Sequence, residues 1–328
     1  MRKICLFLVL TLFSLENIAQ KSYKLSEIRV RDPFIYADKK TKKYHLYVQI
    51  ANRIDGPQKG VEMYESKDLK NWKGPKTVLE LPQDFWAQKS VWAPEVHYHN
   101  QKYYMFVTLT SEDKIKPEND SITNQPQWKR GTQIFYADSP TGPFKAFENK
   151  SHTPQDWMSL DGTLFIEKGK PYLVFCHEWA QISDGTIDLV ALKNDLSATI
   201  GKPKKLFSAS EASWVRNMEA LGMKSYKGLV TDGPFFYKNK KKELVMIWSS
   251  FGVDKYAIGM ALSKNGSLFG PWKQIKEPLV KANGGHGMFF KTFDGKQKLV
   301  FHQPNSGTLE RAVLVDIFEN QKGLLQIK

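Results

Sequence analysis

Thr231-Asp232-Gly233-Pro234-Phe235-Phe236 sets an acidic residue and a turn-forming pair ahead of an apolar strand. A lysine-rich turn follows at 238–242, and then a second apolar run at 244–248. The same plan starts at Asp161 in Leu160-Asp161-Gly162-Thr163-Leu164-Phe165 and at Asp32 in Arg31-Asp32-Pro33-Phe34-Ile35. It starts again at Glu95 in Ala93-Pro94-Glu95-Val96 and at His286 in Gly285-His286-Gly287-Met288-Phe289-Phe290. The five starts are 63, 66, 71 and 54 residues apart. A second hairpin follows each first one, marked by 61–65, 133–137, 187–192, 257–262 and 311–317, each with a Gly, Pro or Lys turn and a further short strand. Short strands at even spacing, with no long segment of 3.6 period, exclude helical and α/β folds. Four-stranded units repeated radially make a β-propeller. The expected fold is therefore all-β, a five-bladed propeller with four antiparallel strands per blade, occupying 21–328 as one domain. Each blade is read from a contiguous stretch, with no strand shared between the first and last.

The chain has 328 residues, 41% hydrophobic and 25% charged, which excludes a disordered or collagen-like chain. Its formal charge is +14, from 48 Lys and Arg against 34 Asp and Glu. The lysines fall in short runs such as 39–43 and 238–242, each between two apolar stretches, where a hairpin turn exposes them. That placement argues against a nucleic-acid site, which needs basic residues gathered on one binding element. It leaves a preference for acidic polysaccharide as a hypothesis. Arg2 and Lys3 followed by an apolar run from Ile4 to Leu15 read as a signal peptide over 1–20, so the protein is expected to be secreted or periplasmic. No later stretch is long and apolar enough to span a membrane. Cys5 falls in the leader and Cys176 stands alone after it, so no intrachain disulfide is expected.

The inner strands of a propeller line its central channel, so in-phase residues form a ring. The repeat puts Asp32, Glu95, Asp161, Asp232 and His286 on that ring. Like charges held close cost free energy, and such clusters are kept where they do chemistry. Glycosidic cleavage needs this equipment: a protonated acid for the leaving oxygen, an ionised carboxylate for the water, and a third carboxylate to tune the acid. Phe34, Trp92, Trp157 and Trp179 offer faces on which a sugar can stack, Trp92 being the best placed.

The set Arg31-Asp32-Pro33, Trp92-Ala93-Pro94-Glu95, Leu160-Asp161-Gly162 and Asp232-Gly233-Pro234 resembles glycoside hydrolase family 43, the five-bladed arabinofuranosidases, xylosidases and arabinanases. The resemblance runs from about Arg31 to the end. It implies Asp32 as general base, Asp161 as the residue that modulates the acid's pKa, and Asp232 as general acid. In the family that acid is Glu before Gly-Pro, so this chain departs from the pattern by one methylene. Glu178 and Glu219 are the alternative acids in sequence. The resemblance further implies inversion of configuration, which requires carboxyls roughly 6.5 to 9.5 Å apart. It implies a sugar contact by Arg311, and His286 in the channel beside a structural calcium held largely through water, with no cofactor required for the chemistry.

The expected activity is removal of terminal α-L-arabinofuranosyl residues from plant cell-wall polysaccharide. β-D-Xylosidase and endo-arabinanase are the alternatives within the family. A carbohydrate-binding propeller without turnover is the alternative of another class. The long segments 111–131 and 208–228 are expected to wall a pocket.

Overall fold

The computed structural model describes residues 21–50 and 59–328. The expected signal peptide, with Cys5, lies outside these residues. Four sheets of four antiparallel strands and one of five form the blades. Their inner strands are Phe34–Asp38, Ser90–His99, Ser159–Glu167, Asp232–Lys238 and Gly285–Lys291. Each is followed outward by its sequence neighbours, as the repeat predicts. Blade 1 gains a fifth, outermost strand, Ser22–Lys24, which pairs with Asn71–Glu80.

The N-terminal segment also closes the ring, by a device the repeat did not announce. The Val30 N–H donates to the Glu310 carbonyl at 3.3 Å, and Arg29 bridges Arg311. One Arg31 nitrogen reaches both Glu310 and Asn305 at 2.7 Å. Blade 1 is thereby fastened to blade 5 without a shared strand.

Aromatic seams hold neighbouring blades together. Tyr36 meets Tyr103 edge-on at 5.8 Å, Phe165 meets Phe236 at 4.7 Å, Phe235 meets Phe289 at 6.1 Å, and Tyr44 meets Phe290 at 6.0 Å. Burying such a side chain contributes about 1.5–3 kcal/mol. Many of the described aromatic residues therefore serve the walls between blades.

Near its start, each of the last four inner strands has a β-bulge, with register breaking at Trp92/Glu95, Leu160/Thr163, Asp232/Phe235 and Gly285/Met288. One residue of each bulge has a left-handed backbone, and Asp32 has the same conformation in blade 1. The φ values are 51° at Asp32, 46° at Ala93, 55° at Asp161, 49° at Gly233 and 51° at His286. These five positions are the true structural equivalents. Asp232 stands one residue before its bulge and Glu95 two after the Ala93 position, so neither is in the ring phase that the sequence motif suggested. Short polar residues and Gly tolerate this backbone best, and bulges re-aim side chains at functional sites.

In such a meander, the turns between first and second strands and between third and fourth strands share one end of the molecule. The other connections share the end where the inner strands begin. The segment 111–131 is an extension of the hairpin formed by Lys102–Asn119 and Pro126–Ala137. The Gln125 side-chain amide donates to the Ser225 carbonyl at 2.7 Å, tying this hairpin to the 209–228 segment. The two long segments thus meet as a wall over one side of the inner-strand starts.

Candidate active site

A cavity of about 490 Å3 opens where the inner strands begin, and Asp32, Asp161, Asp232 and His286 line its floor. Its sides come from Arg31, Trp92, Trp179, Tyr226 and Tyr256, with Met218 and Met223 from the wall segment.

Asp32 is buried, and its Oδ1 has no hydrogen-bond partner among the described residues. That oxygen is enclosed, with the Nδ1 atoms of His286 and His302 each 3.3 Å away. The backbone N–H of Asp32 donates to His302 Nδ1 at 3.2 Å, which leaves the His302 proton on Nε2, 3.2 Å from Asn305 Oδ1. Burial works to raise the Asp32 pKa, but His286 Nδ1 at 3.3 Å from Oδ1 and Arg31 Nε at 3.7 Å from Oδ2 more than offset it. The carboxyl is held well below the usual range and stays ionised.

Asp161 is fixed from both neighbouring blades. Its N–H donates to Thr108 Oγ1 at 2.7 Å, and its Oδ2 accepts the Gly233 N–H at 3.0 Å. The same oxygen lies 3.4 Å from His286 Nδ1. Burial and the Asp32 charge push its pKa upward. Gly233 cannot be replaced without moving something: at φ 49°, a Cβ there would lie 2.9 Å from the His286 ring. His286 itself is anchored through its N–H to Ser249 Oγ at 2.8 Å.

Asp232 is partly exposed to the cavity. Its Oδ2 accepts the Tyr256 hydroxyl at 2.7 Å. Burial and Asp161 raise its pKa to about 7, against the Tyr256 hydrogen bond, which favours the ionised form. One floor therefore holds a carboxylate kept ionised and a carboxyl kept protonated near neutrality, the division of labour that acid–base cleavage needs.

Tyr256 had no signal in the sequence, because it sits on the third strand of blade 4, Lys255–Ser263. Its ring stacks on His302 at 5.7 Å and 21°, and occupies space that Gly285 leaves by lacking a Cβ. A connected layer thus runs from Asp232 through Tyr256 and His302 to Asp32. Arg31 and Arg130 were also missed. Arg130 bonds Glu178 and lies 4.4 Å over the Trp92 ring, fixing one side of the cavity.

Among the other sequence candidates, Trp92, Trp179 and Glu178 line the cavity, Glu178 being held by Arg130. Phe34, Glu95, Trp157, Glu219 and Arg311 are not among its lining residues. Phe34 packs at the blade junction against Phe235 and His97. Glu95 lies deeper, with its Oε2 2.8 Å from His97 Nε2, so His97 is a channel residue and not a surface one. Trp157 is stacked on His177 at 4.1 Å. Arg311 spends its guanidinium on the carbonyls of Ser26, Thr308 and Glu310, as part of the ring closure.

Calcium prefers six to eight oxygen ligands. Around His286 the donors are a ring nitrogen and two carboxylates already turned toward it, and the next layer of the channel contains Phe34, Glu95, Thr163, Phe235 and Met288. Among the described residues no three His, Cys, Asp or Glu are arranged to hold a metal. These side chains by themselves do not make a calcium cage, so an ion there would take most of its oxygen ligands from water.

The family model for glycosyl hydrolases family 43 matches residues 25–324. The chain belongs to that family. A solved family 43 relative, described as an endo-arabinase from Bacteroides thetaiotaomicron, is 41% identical, with a TM-score of 0.77 over 91% of this chain and 97% of its own. An alpha-L-arabinofuranosidase 43 from Humicola insolens is 24% identical over 70% of this chain. An extracellular endo-alpha-(1->5)-L-arabinanase 1 from Bacillus subtilis is 22% identical over 42%. The chain spans 46% and 41% of these two curated relatives, less than half of each. Its five-bladed fold and the meeting of Asp32, Asp161 and Asp232 at one cavity floor agree with that membership.

Proposed function

We propose that this chain hydrolyses α-L-arabinofuranosyl linkages of plant polysaccharide with inversion, using Asp32 as base, Asp232 as acid and Asp161 as the group that tunes and orients the acid. The observation that carries the reading is the cavity floor, where three carboxyls from blades 1, 3 and 4 converge with opposite tendencies to hold a proton. The arabinose preference is supported by the relatives, described as an endo-arabinase and an arabinofuranosidase. Two curated relatives are described as extracellular, which supports action outside the cytoplasm.

In the proposed step a water on the cavity side of the Asp32 carboxylate attacks the anomeric carbon from the face opposite the leaving group. Asp32 takes one proton from that water as the C–O bond forms. Asp232 gives its proton to the glycosidic oxygen as the old bond breaks. The two carboxyls then exchange the proton through solvent, and no covalent intermediate forms. Asp161 holds the Gly233 N–H, so it fixes the backbone that carries the acid as well as its charge environment. Trp92, held flat by Arg130, offers the stacking face.

A second reading, cleavage within an arabinan chain, is favoured by the 41%-identical endo-arabinase. Incubation with linear arabinan separates them. Arabinose as the first product supports the exo reading, and short oligosaccharides support the endo reading. Proton NMR of the first product tests the mechanism: an α-anomer from an α-linkage refutes inversion. Xylose released from aryl β-D-xyloside, with no arabinose from the arabinoside, refutes the sugar assignment.

A further inference from the structure

The lysines behind the charge of +14 are not spread evenly. The turns between first and second strands, all at the end of the propeller away from the cavity, expose lysine in every blade: Lys40, Lys102, Lys168, Lys241 and Lys296 are examples, one from each. The exposed carboxylates of that end, counting both sets of turns and the strand ends beside them, are Asp68, Asp138, Asp195, Asp294 and Asp316. Three of these are taken by single lysines, Asp138 by Lys102 at 2.8 Å, Asp294 by Lys296 at 2.9 Å and Asp316 by Lys298 at 2.7 Å. Lys39, Lys40, Lys168, Lys240, Lys241 and Lys242 have no carboxylate in ion-pair range among the described residues.

The cavity end is composed differently. All the described arginines lie there, and some of its cations are matched, as in Arg31 with Glu310, Arg130 with Glu178, and Lys281 with Glu277. The structure therefore sorts the cations by type: guanidinium groups around the cavity, and an annulus of lysine turns on the opposite face. Lysine is a hydrated point charge without the fork that grips one anion bidentately. A ring of lysines on turn tips thus suits a partner with many spaced charges and no single buried contact.

We propose that this lysine face binds a polyuronate, a polysaccharide with carboxylates along its backbone, while the cavity on the far side works on its neutral side chains. The choice of an acidic polysaccharide rests on the arabinan reading above, since holding the backbone raises the local concentration of attached side chains. A lipid surface suits the face less well. Its exposed apolar residues Tyr98, Ile166, Ile200, Phe269 and Phe318 are spread over four blades. Phe269 is covered by Lys204 at 5.3 Å and by the edge of Tyr172, so no apolar stripe is left to enter a bilayer.

The test is affinity electrophoresis of the purified chain in gels containing polygalacturonate or neutral linear arabinan, with sedimentation on phosphatidylglycerol vesicles in parallel. The variants are Lys240→Glu with Lys241→Glu and Lys242→Glu, and the same set with Lys39→Glu and Lys40→Glu. These side chains are solvated turn tips remote from the cavity, and unchanged turnover of an aryl arabinofuranoside reports that each variant is folded. The expected result is retardation by polygalacturonate at about 20 mM salt, lost at about 1 M, where the screening length falls to about 3 Å. Affinity should drop about tenfold in the triple variant and further in the fivefold one, since each reversal both removes an attraction and adds a repulsion. No retardation at low salt, variants retained like the parent, or binding to vesicles without binding to polygalacturonate would each overturn the proposal. Retention does not depend on turnover, so failure of the arabinosidase reading would show separately, as an inactive protein that still binds the polymer.

Discussion

Replacing Tyr256 by Phe removes one hydroxyl, and the structure fixes which way the pH profile must move. That hydroxyl donates to Asp232 Oδ2 at 2.7 Å and so stabilises the ionised acid. A hydrogen bond to a charged group is worth roughly 1.5–3 kcal/mol, and one pH unit corresponds to about 1.4 kcal/mol. Asp232 is partly exposed, so the lower end applies and its pKa should rise by about one unit from its present value of about 7. The basic limb of kcat/KM should move up by that amount, because the proton the acid must deliver is now lost at higher pH. The freed carboxyl also loses its orientation, so kcat on arabinan should fall by about 10- to 100-fold while a dinitrophenyl arabinofuranoside, whose leaving group needs no proton, is little affected. The assay is the pH dependence of kcat/KM on arabinan, compared with turnover of the dinitrophenyl arabinofuranoside at the optimum. A basic limb that stays put or moves down would refute the assignment of Asp232 as acid with Tyr256 as its positioning residue. Equal losses on both substrates would mean that Tyr256 only supports packing.

Other outcomes follow from the same geometry. Asp32→Asn should lower kcat by about 10^2- to 10^4-fold on every substrate, including activated ones, as measured by release of nitrophenol, because the water then lacks a base. Asp161→Asn keeps an acceptor for the Gly233 N–H but removes a buried charge crowded against Asp32. It should raise the melting temperature at pH 8 by a few degrees while activity on arabinan collapses, a combination that calorimetry and sugar release will show together. Gly285→Ala sets a Cβ 2.0 Å from Tyr256 Cε1 and should cost about 1–3 kcal/mol in urea unfolding, with a kinetic defect resembling that of Tyr256→Phe. Trp92→Ala should raise KM for arabinan about tenfold or more with a smaller change in kcat, since stacking holds substrate and transition state alike.

Fold and family were legible because a propeller repeats itself, and the repeat is written in local chemistry. Asp-Gly-Pro or Asp-Pro ahead of an apolar strand, a lysine turn and a second strand recur whether or not the tertiary structure is known. The candidate carboxyls could be proposed for the same reason: each lies close to the start of an inner strand. What failed was phase at the level of one or two residues. The motif Trp92-Ala93-Pro94-Glu95 looks like the others, but its left-handed residue is Ala93, and Glu95 falls into the next layer against His97. A bulge inserts a residue without any mark that composition can reveal, and a shift of this kind moves a side chain from the cavity floor into the channel.

The aromatic candidates divided for a related reason. Phe34 and Trp157 are as suitable for a sugar as Trp92 by residue type, yet blade-to-blade seams claimed the first two. Arg311 shows the same limit, since its guanidinium belongs to the ring closure that the N-terminal segment builds. The sequence alone determined the five-unit architecture, the family and the three carboxyls available for chemistry, because these rest on patterns along the chain. Only the tertiary structure decided how each carboxyl is held, that Tyr256 bonds Asp232, that His302 takes the Asp32 amide, and that the lysine turns gather on one face. Those outcomes depend on groups dozens to hundreds of residues apart brought within hydrogen-bonding distance, and on the burial that sets the cost of each charge.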